Sequence, residues 1–174
     1  MISASPAFRY RIETIIRNIL TRHRSARAMA HDVVTMRQAI ALEKGEGEIW
    51  DLKHAAGGIT DIDFIAQYLQ LVHAENHSAI LDAGTLQVLQ NATQLGILSS
   101  PVSQTLRSAD RLYHNLTQIL RLCVSDKFVP ETAGEGLLRA LARAGDAPDF
   151  STLEARVRET QSEVRRIFRE LLEA

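Results

Sequence analysis

Asp61 and Asp63 stand two residues apart, the pattern with which many nucleotidyl-transferring enzymes hold Mg²⁺. Two such carboxylates point the same way on a strand, but on a helix they diverge by about 200°, and this segment has a helical period. Gly57 and Gly58 also lie too close ahead of Asp61 for the glycine-to-carboxylate spacing of a nucleotidyltransferase core. Both acids therefore read as first-turn residues favoured by free amides and the helix dipole, and no metal site is expected. A stronger grouping is Lys53, Gly57, Gly58 and a helix start at Thr60. Glycines allow close backbone approach, a helix N-terminus offers unpaired N–H groups, and Lys53 adds a cation, so the set reads as an anion-binding loop. The same residues equally describe an ordinary glycine turn entering a helix. His73 and His77 share a helix face, but no third ligand stands at a recognisable spacing. Cys123 lies on an apolar stripe and reads as a small buried residue. No residue of the chain is expected to be catalytic by itself.

The elements that must position these groups are almost all helical. Phe8, Ile12, Ile15, Ile16 and Ile19 form one helix face, with Pro6 in a tolerant first turn. Met29, Val33, Met36 and Ile40 repeat the pattern in a second helix that stops by Gly45 and Gly47. Ile49 to Leu52 is the one candidate for extended structure, with Trp50 as an anchor for the loop after it. A third helix starts near Thr60, which can cap it with Asp63 in the capping-box position. Its apolar residues cover a wide arc, so it is expected to be central. Further helices are predicted over Thr85 to Leu95, Pro101 to Val124, Leu137 to Arg143, and from a Ser151–Glu154 box almost to the end. The last of these carries a stripe of Leu153, Val157, Thr160, Val164, Ile167 and Leu171. The fold expected is all-α, an irregular bundle of about seven helices with no significant sheet. A core over residues 1–124 would carry the 53–58 loop, and residues 125–174 would form a helical pair packed on that core.

Length and composition narrow the function classes. At 174 residues the chain can bury a core without metal or disulfide, and its one cysteine permits no internal bridge. A net charge of −1 calls for no nucleic acid. The arginines of the last helix spread around it instead of tracking one face with aromatics. The stretch from Thr60 to Ser100 has no Lys or Arg, while Arg9, Arg11, Arg17, Arg22, Arg24, Arg27 and Arg37 crowd the start. No run is long and apolar enough for a membrane span, and residues 1–6 have no secretory pattern. A cytoplasmic protein is expected.

The segment from Asp51 to Leu71 resembles the helical domain that follows a nucleotidyltransferase domain in glutamine synthetase adenylyltransferase. That family carries a Lys, three variable residues, Gly-Gly-Ile, one variable residue, then Asp-Ile-Glu-Phe and a Gln-x-Leu-x-Leu helix. Lys53, Gly57, Gly58, Ile59, Asp61, Ile62, Phe64, Gln67, Leu69 and Leu71 match, and Asp63 stands where the family has the longer Glu. Thr60-Asp61 is similar to the adenylylating, C-terminal half of that two-part enzyme, so the resemblance makes the chain the last piece of a longer protein.

By the same resemblance, the whole enzyme moves AMP from ATP, with Mg²⁺, to a tyrosine of glutamine synthetase. Its other half removes the AMP, and the PII signal protein and glutamine set the balance. The partners implied are the adjacent nucleotidyltransferase domain, glutamine synthetase and PII. This chain lacks the catalytic glycine-serine and paired-aspartate motifs, so it is expected to hold no cofactor and to be inactive alone. Lys53, Gly57, Gly58, Thr60, Asp61 and Asp63 would face the neighbouring active site. The related uridylyltransferase of PII carries a similar loop, and a regulatory docking module for glutamine synthetase or PII is the competing class. A free-standing metallo-enzyme using Asp61, Asp63, His73 and His77 is the third.

Overall fold

The computed structural model describes residues 5–45 and 47–173; part of the N-terminal stretch read above for secretory character lies outside them. Seven α-helices follow one another: α1 (Pro6–Leu20), α2 (Ala26–Lys44), α3 (Ile59–His73), α4 (Thr85–Gln94), α5 (Ser100–Cys123), α6 (Glu135–Ala144) and α7 (Phe150–Leu172). Two single 3₁₀ turns, Ser78–Ile80 and Pro130–Thr132, lie between them, and no strand occurs among the described residues. The all-α expectation holds.

Local chemistry explains most of the ends. Ser5 and Ser25 cap α1 and α2 through their side chains, accepting from the amides of Phe8 and Ala28. Arg24 closes α1 from the other side, donating to the carbonyls of Ile19 and Leu20 at 2.9 Å each, which places a cation on the negative end of the helix dipole. The α7 cap is Asp149, whose carboxylate accepts from the Thr152 amide, and not Ser151 as its box suggested. That hydrogen bond holds the Asp149 carboxyl below its usual range. The candidate extended piece at Ile49 to Leu52 is a pair of turns, with the Asp51 amide on the Glu48 carbonyl and the Ala55 amide on the Asp51 carbonyl.

The wide apolar arc of α3 does make it central. It packs against α2, α4, α5 and α7, and Ile62, Ile65, Ala66 and Leu69 are buried along it. The last helix, α7, packs on α2, α3, α5 and α6. Its buried line is Leu153, Val157, Gln161, Val164, Ile167, Phe168 and Leu172. Gln161 therefore takes the deep position that the sequence pattern assigned to Thr160. Trp50 anchors the loop after α2 as expected, stacked on Phe150 at 5.2 Å and edge-on to Phe128 at 5.1 Å.

Two apolar expectations fail. Cys123 is exposed, because the last turn of α5 projects past its neighbours, as the 82% exposure of Leu122 also shows. None of the residues of α1 is buried. Its apolar stripe is regular, but no other part of the described residues closes over it.

Candidate functional site

The chemistry of the 53–63 segment is organised around one carboxylate. Asp61 is wholly buried and forms an ion pair with the Nε of Arg37, itself 4% exposed. Its second oxygen accepts from the Gly57 amide at 2.6 Å, and Arg165 lies 3.8 Å from that oxygen. The Nη2 of Arg37 donates to the carbonyls of His54 and Ala55 at 3.0 and 3.3 Å. One Arg–Asp pair thus ties α2 and α3 to both sides of the glycine turn. A charge so deep is tolerated only when paired and hydrogen-bonded on all sides.

The glycines serve packing. Gly57 has φ +79° and lies against the backbone of α7, where a Cβ would come within 1.9 Å of the Gln161 carbonyl oxygen. Gly58 has ordinary negative φ, but a Cβ there would meet the Leu52 carbonyl oxygen at 2.6 Å. The buried Tyr113 of α5 donates its hydroxyl to the Gly57 carbonyl at 3.0 Å, and Gln161 donates to the Ile49 carbonyl at 2.8 Å. Burial, reinforced by the nearby Asp61 charge, pushes the Tyr113 hydroxyl far up in pKa, so it stays a neutral donor. Tyr113→Phe would leave the Gly57 carbonyl buried and unpaired. It is expected to cost about 1–2 kcal/mol in a denaturant melt, and an unchanged midpoint would show that the bond contributes nothing.

The reading of an anion cradle made from free amides is corrected. Gly58 caps α3, not Thr60. The amide of Ile59 donates to the Leu52 carbonyl at 2.9 Å and that of Thr60 to the Lys53 carbonyl at 3.1 Å. Those of Asp61 and Ile62 both reach the Gly58 carbonyl. With Gly57 on Asp61, every amide that would have cradled an anion already has a partner. The loop folds back over its own helix start. Asp63 does not complete a capping box either; it accepts from the Thr85 hydroxyl at 2.6 Å and so ties α3 to α4. The two aspartates leave the helix in different directions, as the helical geometry required. Burial, with a smaller contribution from Asp63, holds the Asp110 carboxyl above its usual range, against the opposing charge of His114. Among the described residues no three His, Cys, Asp or Glu side chains gather as a metal site.

What remains outward is Lys53. Its backbone is fixed by the Thr60 bond, while its side chain is exposed on a cleft of about 680 Å³ floored by Trp50 and Phe128. Arg121 and Lys127 share this cleft. Lys127 is paired with Glu48 at 2.6 Å, whereas neither Lys53 nor Arg121 has an acidic partner among the described residues. Among the described residues the cleft, which Asp51 and Asp126 also line, thus presents two cations without an ion-pair partner.

Sequence reasoning missed Arg37, Gln161, Tyr113 and Arg121. Arg37 lies four residues after Val33 and three before Ile40, on the apolar face of α2. An arginine there is a signal for a buried acid. Gln161 has the same signature between Val157 and Val164. Nothing in the sequence marks Arg121.

Comparison with known proteins fits this geometry. The family model described as GlnD PII-uridylyltransferase matches residues 27–172. A bifunctional glutamine synthetase adenylyltransferase/adenylyl-removing enzyme of Bradyrhizobium sp. (strain BTAi1) is 68% identical over 99% of this chain, which covers 18% of that protein. The protein of that name from Rhodopseudomonas palustris (strain HaA2) is 67% identical, again over 99% of this chain and 17% of its own length. The one from Xanthobacter autotrophicus is 47% identical over the same share of this chain and 18% of its own. The chain thus spans less than a fifth of the length of these relatives. With a model match running from the start of α2 to the end of α7, the chain belongs to the family described as GlnD PII-uridylyltransferase.

Proposed function

We propose that this chain is the accessory helical domain of a cytoplasmic glutamine synthetase adenylyltransferase, with the Lys53 cleft turned toward the active site of a neighbouring nucleotidyltransferase domain. The observation that carries the reading is identity of 67–68% across nearly the whole chain with relatives of that name. A chain serving PII uridylylation would share the family model; the high identities to adenylyltransferases favour the first activity over that one. In the proposed reaction, a tyrosine hydroxyl of glutamine synthetase loses its proton and bonds to the α-phosphorus of ATP, pyrophosphate leaving, with Mg²⁺ to be held by the catalytic domain and PII regulating the balance. Loose phosphoryl-type transition states are stabilised largely by positioned cations and dipoles. Lys53 is suited to that work, since its side chain is exposed while its backbone is pinned through Thr60 to the Asp61-centred turn.

The test is Lys53→Ala in the full-length enzyme. Lys53 is exposed and unpaired among the described residues, so its removal should change stability by no more than about 0.5 kcal/mol. Loss of one charge-assisted contact to a phosphate should lower the adenylylation rate by about 1.5–3 kcal/mol, roughly tenfold or more. Rate and melting temperature are read on one preparation. A wild-type rate at wild-type stability would reduce the loop to a plain turn.

A further inference from the structure

We propose that α1 is a docking helix whose apolar face seats on an acid-rimmed apolar surface contributed by the additional polypeptide that the longer relatives carry. The proposal rests on the reading above only in taking the chain to work as part of such a longer protein.

Phe8, Ile12, Ile15, Ile16 and Ile19 lie within one stripe of α1, and each is between 41% and 56% exposed. A helix of 15 residues is marginal in water without a surface to pack against, and a contiguous apolar face of this kind marks an interaction site. At 3.6 residues per turn, Arg9 and Arg11 fall on opposite flanks of the stripe. The rim is basic on both sides, and complementarity asks for acids on the partner.

The comparisons separate α1 from the rest of the bundle. The family model begins at residue 27, one residue into α2, and leaves α1 out. The similarity to the long Bradyrhizobium protein runs over 173 residues of this chain and so includes α1, while this chain covers only 18% of that relative. The helix is thus shared with proteins that have much more chain and is not part of the helical family unit. A second copy of this chain fits the face poorly. A parallel pairing of α1 with itself would set the flanking Arg9 and Arg11 against the same two residues, with Glu13 as the one acid on the helix.

Amide hydrogen exchange on the full-length protein and on the 174-residue chain tests this without reference to activity. Amides of Ile12 to Ile19 should exchange about a hundredfold more slowly in the full-length protein. An Ile12→Glu/Ile16→Glu variant of the full-length protein should abolish that difference and leave α3 and α5 amides protected, which separates undocking from misfolding. Arg9→Glu/Arg11→Glu should speed exchange in α1 in the same direction. Equal exchange of α1 in the two proteins would overturn the proposal. Concentration-dependent protection of α1 in the short chain, with a dimer mass by light scattering, would overturn it in favour of self-association. Lys53→Ala reads only the reaction, so failure there leaves the α1 result standing, and the converse holds.

Discussion

Asp61→Ala should be among the most destabilising substitutions in the chain, at about 3–5 kcal/mol, because it leaves the Arg37 charge buried without its counter-ion. It also leaves the Gly57 amide without an acceptor. Set against a domain stability of roughly 5–15 kcal/mol, that loss brings the fold close to its limit. For a domain of this length it corresponds to a fall in melting temperature of roughly 6–20 °C. Arg37→Ala should fall in the same range, since Asp61 is then a buried carboxylate facing only the more distant Arg165. The informative experiment is the double-mutant cycle. Arg37→Ala/Asp61→Ala removes both charges and should cost clearly less than the sum of the singles, by at least about 1 kcal/mol of coupling. Strictly additive losses would mean that the two side chains act independently and that the pair does not organise the turn. Asp63→Asn is the control, as its partly exposed carboxylate meets one hydroxyl and should cost about 1 kcal/mol.

Gly57→Val should cost a comparable amount by a different route. Positive φ is strained for any residue with a Cβ, by about 1–2 kcal/mol, and overpacking against rigid backbone adds about 1–3 kcal/mol. The obstacle is the backbone carbonyl of Gln161 on the buried line of α7, 1.9 Å from the new Cβ position, so it has no rotamer by which to give way. Gly96 isolates the first contribution, since it also has positive φ (+71°) but nothing within 4 Å of its would-be Cβ. Gly96→Ala should therefore lose about 1–2 kcal/mol and Gly57→Ala distinctly more, both read from denaturant midpoints. Equal losses at the two positions would show that α7 moves aside, and that the close approach of turn and helix is not what holds it. The outcome also bears on Lys53, whose carbonyl takes part in the same fold-back through Thr60.

The helices were legible in the sequence because a 3.6-residue apolar period is a local property. The stripe of α5 and the wide arc of α3 were both written in the order of residues. Of the two acids read as first-turn residues only Asp61 is one, held by Arg37 and the Gly57 amide and not by free helix amides, while the divergence of Asp61 and Asp63 followed from helix geometry alone. What misled was the assumption that a helix start preceded by two glycines leaves its amides open. Whether an amide is free depends on where the preceding carbonyls fold. Those of Leu52 and Lys53 are turned back by the Arg37 contacts to His54 and Ala55, from a residue far earlier in the chain. Thr60 lost its capping role for the same reason.

By itself, then, the sequence determined the all-α architecture and the centrality of α3, since periodicity carries that information. Only the tertiary structure decided which polar residues on apolar faces find each other. Arg37, Asp61, Tyr113 and Gln161 come from α2, α3, α5 and α7, and their meeting at one turn is a matter of helix packing. It also decided which apolar faces are covered. The stripe of α1 has the same period as that of α7, yet α7 is buried along its line and α1 is not. The pattern states that a helix wants a partner surface. Whether these 174 residues supply it depends on how the other helices fill the space around one core.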